Sequence, residues 1–592
     1  MKKTLIFTLL VLFGISLFAQ NKNIDRDTKK MLRLMYMINN YYVDTTNMPK
    51  LTESAIEGML KELDPHSTYI PKKEVQKMNE PLQGNIIGIG VTFQLLNDTI
   101  HVMDVVADGP AEKVGMFPGD KIVKVNDSAA TGDSIDNEWV MSRLRGKKGS
   151  MVKVEVARIG KDNIVFDIKR DNIPLNSIDT WFMIDKEVGY IALRRFAQKS
   201  DEELQNAIKD LKSQGMKKLI FDLRSNGGGY LETAFKICEE FLSEEKMVVY
   251  TEGEKQPRQE WKTTSRKGEF EKGNLVILTD EYTASASEIT SGAVQDWDRG
   301  VIVGRRTFGK GLVQRPFNLD DGSQVRLTIA RYYIPSGRCI QKPYDNGVDD
   351  YRQDYQKRYS HGEMIYADSI SFPDSLKYKT NNNRVVYGGG GIMPDIFVPM
   401  DTTRASDYYI NLRSKNLFNE YSINYAEANR EELLKKYPTY EDFDKAWDEL
   451  NLMQDFQRYA DEKGVKPDAI KTEWVNNMVR DYLKENTKDS TTTYNSYVDY
   501  AKEILQEDKM LKEILSKAEQ EDIKQQEYIR QSNSYIESNL KGFIARNLYG
   551  TKYYYKAVQQ NDETLQTALK IIKDDKQYNK ILKTCQPLKW EL

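Results

Sequence analysis

The stretch Leu275-Val276-Ile277-Leu278-Thr279, followed by Thr283-Ala284-Ser285-Ala286-Ser287-Glu288-Ile289, decides how this chain is read. An unbroken apolar run of this length is a strand buried on both faces. The small residues after it let the backbone turn sharply and present a side chain. The helical pattern from Ser287 to Gln295 then aims its first amides at that turn. Two further strands share the pattern. Lys218-Leu219-Ile220-Phe221-Asp222-Leu223 runs into Arg224-Ser225-Asn226-Gly227-Gly228-Gly229, and Val301-Ile302-Val303-Gly304 stands downstream. Strand and helix patterns alternate over residues 178–400, which predicts an α/β core.

Working outward comes Thr307-Phe308-Gly309-Lys310-Gly311, with Lys310 25 residues beyond Ser285, and Gln314 follows. A serine hydroxyl attacks a carbonyl only when a neighbour removes its proton. A lysine does this only as the neutral amine, which burial favours. Ser287 is chemically equivalent to Ser285, and the residues alone do not choose between them. His66, His101 and His361 are scattered, so a Ser-His-Asp site is disfavoured. Glu288 and Asp296 read as helix-capping or structural carboxylates. The three glycines at 227–229 lack the G-x-x-x-x-G-K-[ST] pattern of a phosphate loop.

These three strings occur in the same order as in the C-terminal processing peptidases, serine proteases with a Ser-Lys pair, and the chain resembles that family from about residue 30 to 400. Arg331-Tyr332-Tyr333-Ile334-Pro335-Ser336-Gly337-Arg338 and Gly388-Gly389-Gly390-Gly391-Ile392-Met393-Pro394-Asp395 add to the resemblance. It implies Ser285 as nucleophile, Lys310 as general base and Gln314 as the residue orienting the lysine. The amides of Gly228 and Ala286 would form the oxyanion hole. It also implies a crotonase-type α/β core over 173–400, with no metal or other cofactor. The polar residues 344–383 read as an insertion or long loop.

Ahead of the core the period changes. Ile100 to Val106 is strand-like, and Val152-Lys153-Val154-Glu155-Val156 alternates as a half-buried strand does. Gly88-Ile89-Gly90-Val91, the string Gly109-Pro110-Ala111 through Gly119-Asp120 to Asn126, and Met141 to Gly146 together resemble a PDZ domain, here 83–172. Such a module binds a peptide by strand addition, with glycine-loop amides on its terminal carboxylate. Gly88, Ile89, Gly90 and Val91 are the expected loop, and Val140 and Leu144, four apart on a helix, the expected groove wall. Arg158 reads as a surface arginine or a link to the core.

At the N-terminus Lys2 and Lys3 precede an apolar run from Leu5 to Phe18, then Ala19-Gln20. That reads as a secretory signal peptide over 1–20, with an uncleaved membrane anchor as the alternative, and implies export, to the periplasm where an outer membrane exists. Residues 21–82 carry amphipathic stripes such as Met31, Leu34, Met35, Ile38 and Tyr42. Residues 401–592 form a charged helical extension, read as a solvated bundle or arm, with a linker at 489–493. Stripes at both ends admit a homodimer, and an activating adaptor protein remains an open partner.

Composition narrows the classes. Lys and Arg total 86 against 89 Asp and Glu, a net charge of −3, which argues against non-specific nucleic-acid binding. Three cysteines and three histidines, with no C-x-x-C or H-E-x-x-H, disfavour a disulfide framework and a zinc site. The expectation is an exported, multidomain serine endopeptidase that takes protein or peptide substrates by their C-terminal segments. The alternative is an inactive PDZ adaptor of the cell envelope. Retention of Ser285, Lys310 and Gln314 together favours the enzyme.

Overall fold

The computed structural model describes residues 25–466 and 532–583, with 516, and leaves out 97, 107, 159, 160, 371 and 402–405. The signal segment, the helical spacing over 504–515 and the 489–493 linker lie outside the described residues. Among the described residues no helix is long and apolar enough to cross a membrane. The chain divides into two compact units. One is Met1–Gln76 with Gln314–Ile329 and Tyr344–Arg352. The other is Lys77–Val313 with Ala330–Pro343 and Gln353–Leu592.

The larger unit is built on a six-stranded sheet, in the order Ile178–Met183, Val188–Leu193, Lys218–Asp222, Leu275–Thr279, Val301–Gly304, Ile396–Phe397. The first pair is antiparallel and the others are parallel. Parallel strands need a crossover, and helices supply it. Helix Ser200–Ser213 places Leu204, Ala207, Ile208 and Leu211 on one stripe and begins with Asp201, Glu202 and Glu203, which suit its N-terminal dipole. With Leu231–Cys238 and Ala286–Asp296 it covers one face of the sheet, against Ile191, Phe221, Ile277 and Ile302.

The opposite face is covered by the end of the chain. Leu565, Ala568, Leu569 and Ile572 of helix Glu563–Lys573 pack on Tyr190, Ile220, Val276 and Val303, joined by Tyr578 and Ile581 of Asp575–Lys583. The Tyr578 hydroxyl donates to the Leu275 carbonyl at 3.0 Å and lies 2.9 Å from the Leu275 amide. This corrects the expectation of a solvated arm. A sheet made from near-continuous apolar strands needs two covers, and the extension supplies the second.

The β-rich module precedes the core in the chain. Its sheet runs Val91–Leu96, Thr99–Val105, Lys121–Val125, Met151–Ala157, Ile164–Lys169, so Val91–Leu96 is an edge strand. The extension also meets this module. Gln94, His101 and Lys121 are register partners across three strands and share one face. Helix Leu417–Lys436 lies on it, with Asn419 donating to the Gln94 side chain, and Glu427 3.3 Å from His101 Nδ1 and 3.2 Å from Lys121 Nζ. His101 and Lys121 hold the Glu427 carboxyl below its usual range against the opposing effect of burial. Residues 344–383 are not a bare loop. They carry helices Val348–Arg352 and Asp354–Ser360 and the first strand of the hairpin Lys377–Lys379, Val385–Tyr387.

In the smaller unit, helix Met48–Lys61 is followed by Asp64, whose carboxylate accepts from the amides of His66 and Ser67 and from the Thr328 hydroxyl. Strand Thr68–Ile70 then pairs antiparallel with Gln324, Val325 and Arg326. Met31 and Leu34 of the preceding helix, residues 25–41, are exposed.

Candidate active site

Ser285 follows the central strand Leu275–Thr279 and immediately precedes helix Ala286–Asp296. Its backbone has φ 58° and ψ −116°. A side chain at positive φ outside glycine is strained by about 1–3 kcal/mol, and such strain persists only where the surroundings enforce it. The result is an elbow that holds a half-buried serine clear of both strand and helix. Ser287, its chemical twin, is wholly buried, and its hydroxyl donates to the Asn226 carbonyl at 3.0 Å. The geometry therefore gives Ser287 a structural bond and leaves Ser285 at the turn.

Glu288 is the residue that sequence reasoning set aside and that organises the site. Its side chain is fully buried. Oε2 accepts the Ser285 amide at 2.8 Å and the Lys310 amide at 2.9 Å. Oε1 accepts the Gly309 amide at 2.8 Å and the Thr307 hydroxyl. One carboxylate thus joins the Ser285 elbow to the Thr307–Lys310 loop. Burial pushes its pKa up, and the four donors oppose that shift. A signal for it was present in Ser285-x-x-Glu288, the capping-box spacing. The Tyr332 hydroxyl adds a second link, 2.5 Å from the Lys310 carbonyl and 3.1 Å from the Ser285 carbonyl.

The glycine loop closes the other side. Asn226 accepts the Ala284 amide on its carbonyl at 3.0 Å and donates its side-chain amide to the Leu193 carbonyl at 2.9 Å. Gly228, at φ 96°, lies so close that a Cβ there would stand 2.8 Å from both the Ser285 Cβ and the Ala286 amide nitrogen. One expectation is corrected here. The Gly228 N–H is donated to Asn226 Oδ1 at 2.9 Å, so it is not an open oxyanion donor in this conformation. Ala286 N–H heads its helix, where amides have no intrahelical acceptor.

Upstream of the loop, Asp222 is fully buried at the end of its strand. It pairs with Arg224 at 2.7 Å and accepts the Tyr190 hydroxyl at 2.6 Å. Burial opposes its charge, but the Arg224 guanidinium overcomes that and holds its pKa at about 2. Asp296, the other carboxylate set aside, pairs with the buried Arg338 at 2.8 Å and is structural.

Gln314 belongs to the smaller unit, where its side-chain amide donates to the His66 carbonyl. In the β-rich module, Gly88, Ile89, Gly90 and Val91 lead into the edge strand, and the carbonyls of Ile89 and Gly90 accept the amides of Ala111 and Val106. Val140 and Leu144 are corrected. They are 0% and 4% exposed and pack with Ile100, Ile122 and Val154 in the module's own core, not along a groove. Arg158 is neither a free surface group nor a link to the core. It clamps Asp120 at 2.6 and 2.7 Å and donates to the Gly115 carbonyl.

The chain matches the model of Peptidase family S41 over residues 187–350, of the PDZ domain over 88–169, and of the activating protease CtpB N-terminal domain over 16–74. Residues 408–474 and 469–550 match a family of unknown function. It is 33% identical over 338 residues to the carboxy-terminal processing protease CtpA of Bacillus subtilis, covering 57% of this chain and 72% of that protein. The chain belongs to the carboxy-terminal processing proteases. Another member, a probable CtpA-like serine protease of Staphylococcus epidermidis, is 35% identical over 322 residues, 54% of this chain. The chain spans 64% of that relative's length. A solved photosystem II D1 C-terminal processing protease is 27% identical, covering 52% of this chain and 88% of that one, with TM-score 0.30. In this chain the PDZ match lies directly ahead of the peptidase match. The extension beyond residue 400 falls outside the span matched to the peptidase model.

Proposed function

We propose that this chain is an exported serine endopeptidase that captures the C-terminal segments of protein substrates and cuts them by a Ser-Lys mechanism. The observation that carries it is the buried Glu288 carboxylate, which binds the amides of Ser285 and Lys310 with a single oxygen. That bond keeps the two backbones together, whatever the side chains do. The core is read as crotonase-type, and signal-peptide export implies the periplasm where an outer membrane exists.

In this reading the neutral Lys310 amine removes the Ser285 proton as Oγ attacks the peptide carbonyl, and Gln314 orients the amine. The leaving amine takes the proton back, and water, activated by Lys310, hydrolyses the acyl-serine. Ala286 N–H stabilises the tetrahedral oxyanion. One such donor contributes on the order of 10²–10³ in rate. The PDZ edge strand Val91–Leu96 pairs with the substrate backbone, beside Gly88, Ile89, Gly90 and Val91.

The test is digestion of casein by the purified chain beside Ser285→Ala and Lys310→Ala. Cleavage by the parent and none by either folded variant is expected. Equal cleavage by a variant removes that residue from the mechanism, and no cleavage by the parent, with peptide binding intact, favours the adaptor.

A further inference from the structure

We infer that Asp562, in the C-terminal extension, is a positioning residue for the hydrolytic site, acting through Arg224 on the glycine loop. The inference rests on the hydrolase reading and deepens it, because it assigns part of the site's geometry to a segment outside the span matched to the peptidase family.

Asp562 precedes helix Glu563–Lys573 and does two things at once. Its Oδ1 caps the helix at the Leu565 amide, 3.0 Å away. The same carboxylate grips Arg224 with both oxygens, Oδ1 to Nη1 at 2.9 Å and Oδ2 to Nη2 at 2.7 Å. Two parallel bonds fix the plane of a guanidinium as well as its distance. The rest of that guanidinium faces Asp222, with Nη2 to Oδ2 at 2.7 Å. The extension also reaches the Arg224 backbone. Arg194 donates to the Arg224 carbonyl at 2.7 Å and to the Tyr555 hydroxyl at 3.2 Å. Arg224 is therefore held at both its side chain and its carbonyl by groups that the extension supplies or braces.

Arg224 is where the chain leaves the sheet for the site. The next residue, Ser225, has φ 58°, and its amide is 2.9 Å from both oxygens of Asp280. Asn226 then bonds the Ala284 amide, and Gly228 lies against Ser285. From Asp562 to the elbow there is one continuous run of bonded groups. An exposed ion pair contributes little to stability. This one is mostly shielded, with 22% of the Asp562 side chain and 21% of the Arg224 side chain exposed, and its effect is directional. Without it Arg224 keeps Asp222, so the fold stands while the exit angle of the loop is less constrained.

Asp562→Asn is the informative variant, because asparagine caps a helix as well as aspartate does. Asp575→Asn is its control. Asp575 lies in the same extension and binds Lys218 at 2.8 Å, at the opposite end of the strand that leads to Arg224. Steady-state peptide hydrolysis and backbone amide exchange are measured on full-length protein. In Asp562→Asn we expect kcat to fall about tenfold or more with KM within about twofold, since displacement of reacting groups by about 1 Å costs up to about 10². Amides 225–229 should exchange faster. Asp562→Glu should recover part of kcat, and Asp575→Asn should match the parent in both readouts. Parental kcat and exchange in Asp562→Asn, or equal losses in Asp575→Asn, overturn the inference. Should the parent itself cleave no peptide, the hydrolase reading fails, and the exchange comparison alone still decides whether Asp562 orders the loop.

Discussion

Glu288 and Lys310 are joined by a 2.9 Å hydrogen bond from the Lys310 backbone amide to Glu288 Oε2, the same oxygen that accepts the Ser285 amide. The bond uses the main chain of Lys310, so it fixes where the lysine stands without engaging its amine. A carboxylate shared in this way couples Ser285 and Lys310 through their backbones.

Removing that carboxylate should be costly. Glu288→Ala strips the acceptor from three amides and the Thr307 hydroxyl, two of these bonds buried and two part-buried. At about 1–3 kcal/mol for each unsatisfied buried group, we expect a loss of at least about 3 kcal/mol in denaturant unfolding, with peptide hydrolysis falling at least about 100-fold. A loss under about 1 kcal/mol would show that the loop does not depend on Glu288.

The strained elbow gives a separate test. Ser285→Ala keeps the side chain at φ 58°, whereas Ser285→Gly relieves it. Both are expected to be inactive. The glycine variant should nonetheless be the more stable of the two by about 1 kcal/mol, the strain relieved less the added chain entropy. Equal melting of the pair would mean the elbow stores no strain.

Gly228 and Gly229 should not tolerate alanine. A Cβ on Gly229, at φ 155°, would stand 2.1 Å from the Phe196 carbonyl oxygen, and one on Gly228 would press on Ser285. Gly228→Ala is expected to lower kcat by at least about 100-fold, as displacement of Ser285 would in the proposed mechanism. Gly229→Ala should also lower stability, by about 2 kcal/mol or more. Calorimetry beside the hydrolysis assay separates the two effects.

Asp222 predicts an acid limb. Its folded pKa of about 2 lies below the usual carboxylate value. A depressed pKa contributes stability above the unfolded value, about 4. That contribution, on the order of 2 kcal/mol, is lost as pH falls from about 4 through 2. Unfolding free energies of the parent and Asp222→Asn should converge across that window. Curves that stay parallel there would count against an ionised Asp222 in the fold.

The extension should behave as core. Ile572 is fully buried against the sheet, so Ile572→Ala should cost about 2–5 kcal/mol in denaturant unfolding. A cost below about 1 kcal/mol would mean the last helices only lean on the protein.

Much of the fold was legible because burial writes itself into periodicity. The runs at 218–222, 275–279 and 301–304 are strands, and the small residues around Ser285 mark the turn. What failed depended on tertiary partners. Val140 and Leu144 have the right spacing for one helix face, yet spacing does not say whether that face meets a ligand or the module's own core. Glu288 looked like an ordinary cap because its other partners, Thr307 to Lys310, lie about twenty residues on and meet it only in the folded chain. The extension's charge suggested solvent, since nothing local says that a sheet far upstream lacks a cover.

That cover has a consequence for how the molecule is made. A ribosome that has delivered residues up to about 560 has already released every group assigned to chemistry, yet one side of the central sheet is still bare. A product truncated ahead of helix Glu563–Lys573 would leave that apolar face uncovered, and would be sticky rather than folded.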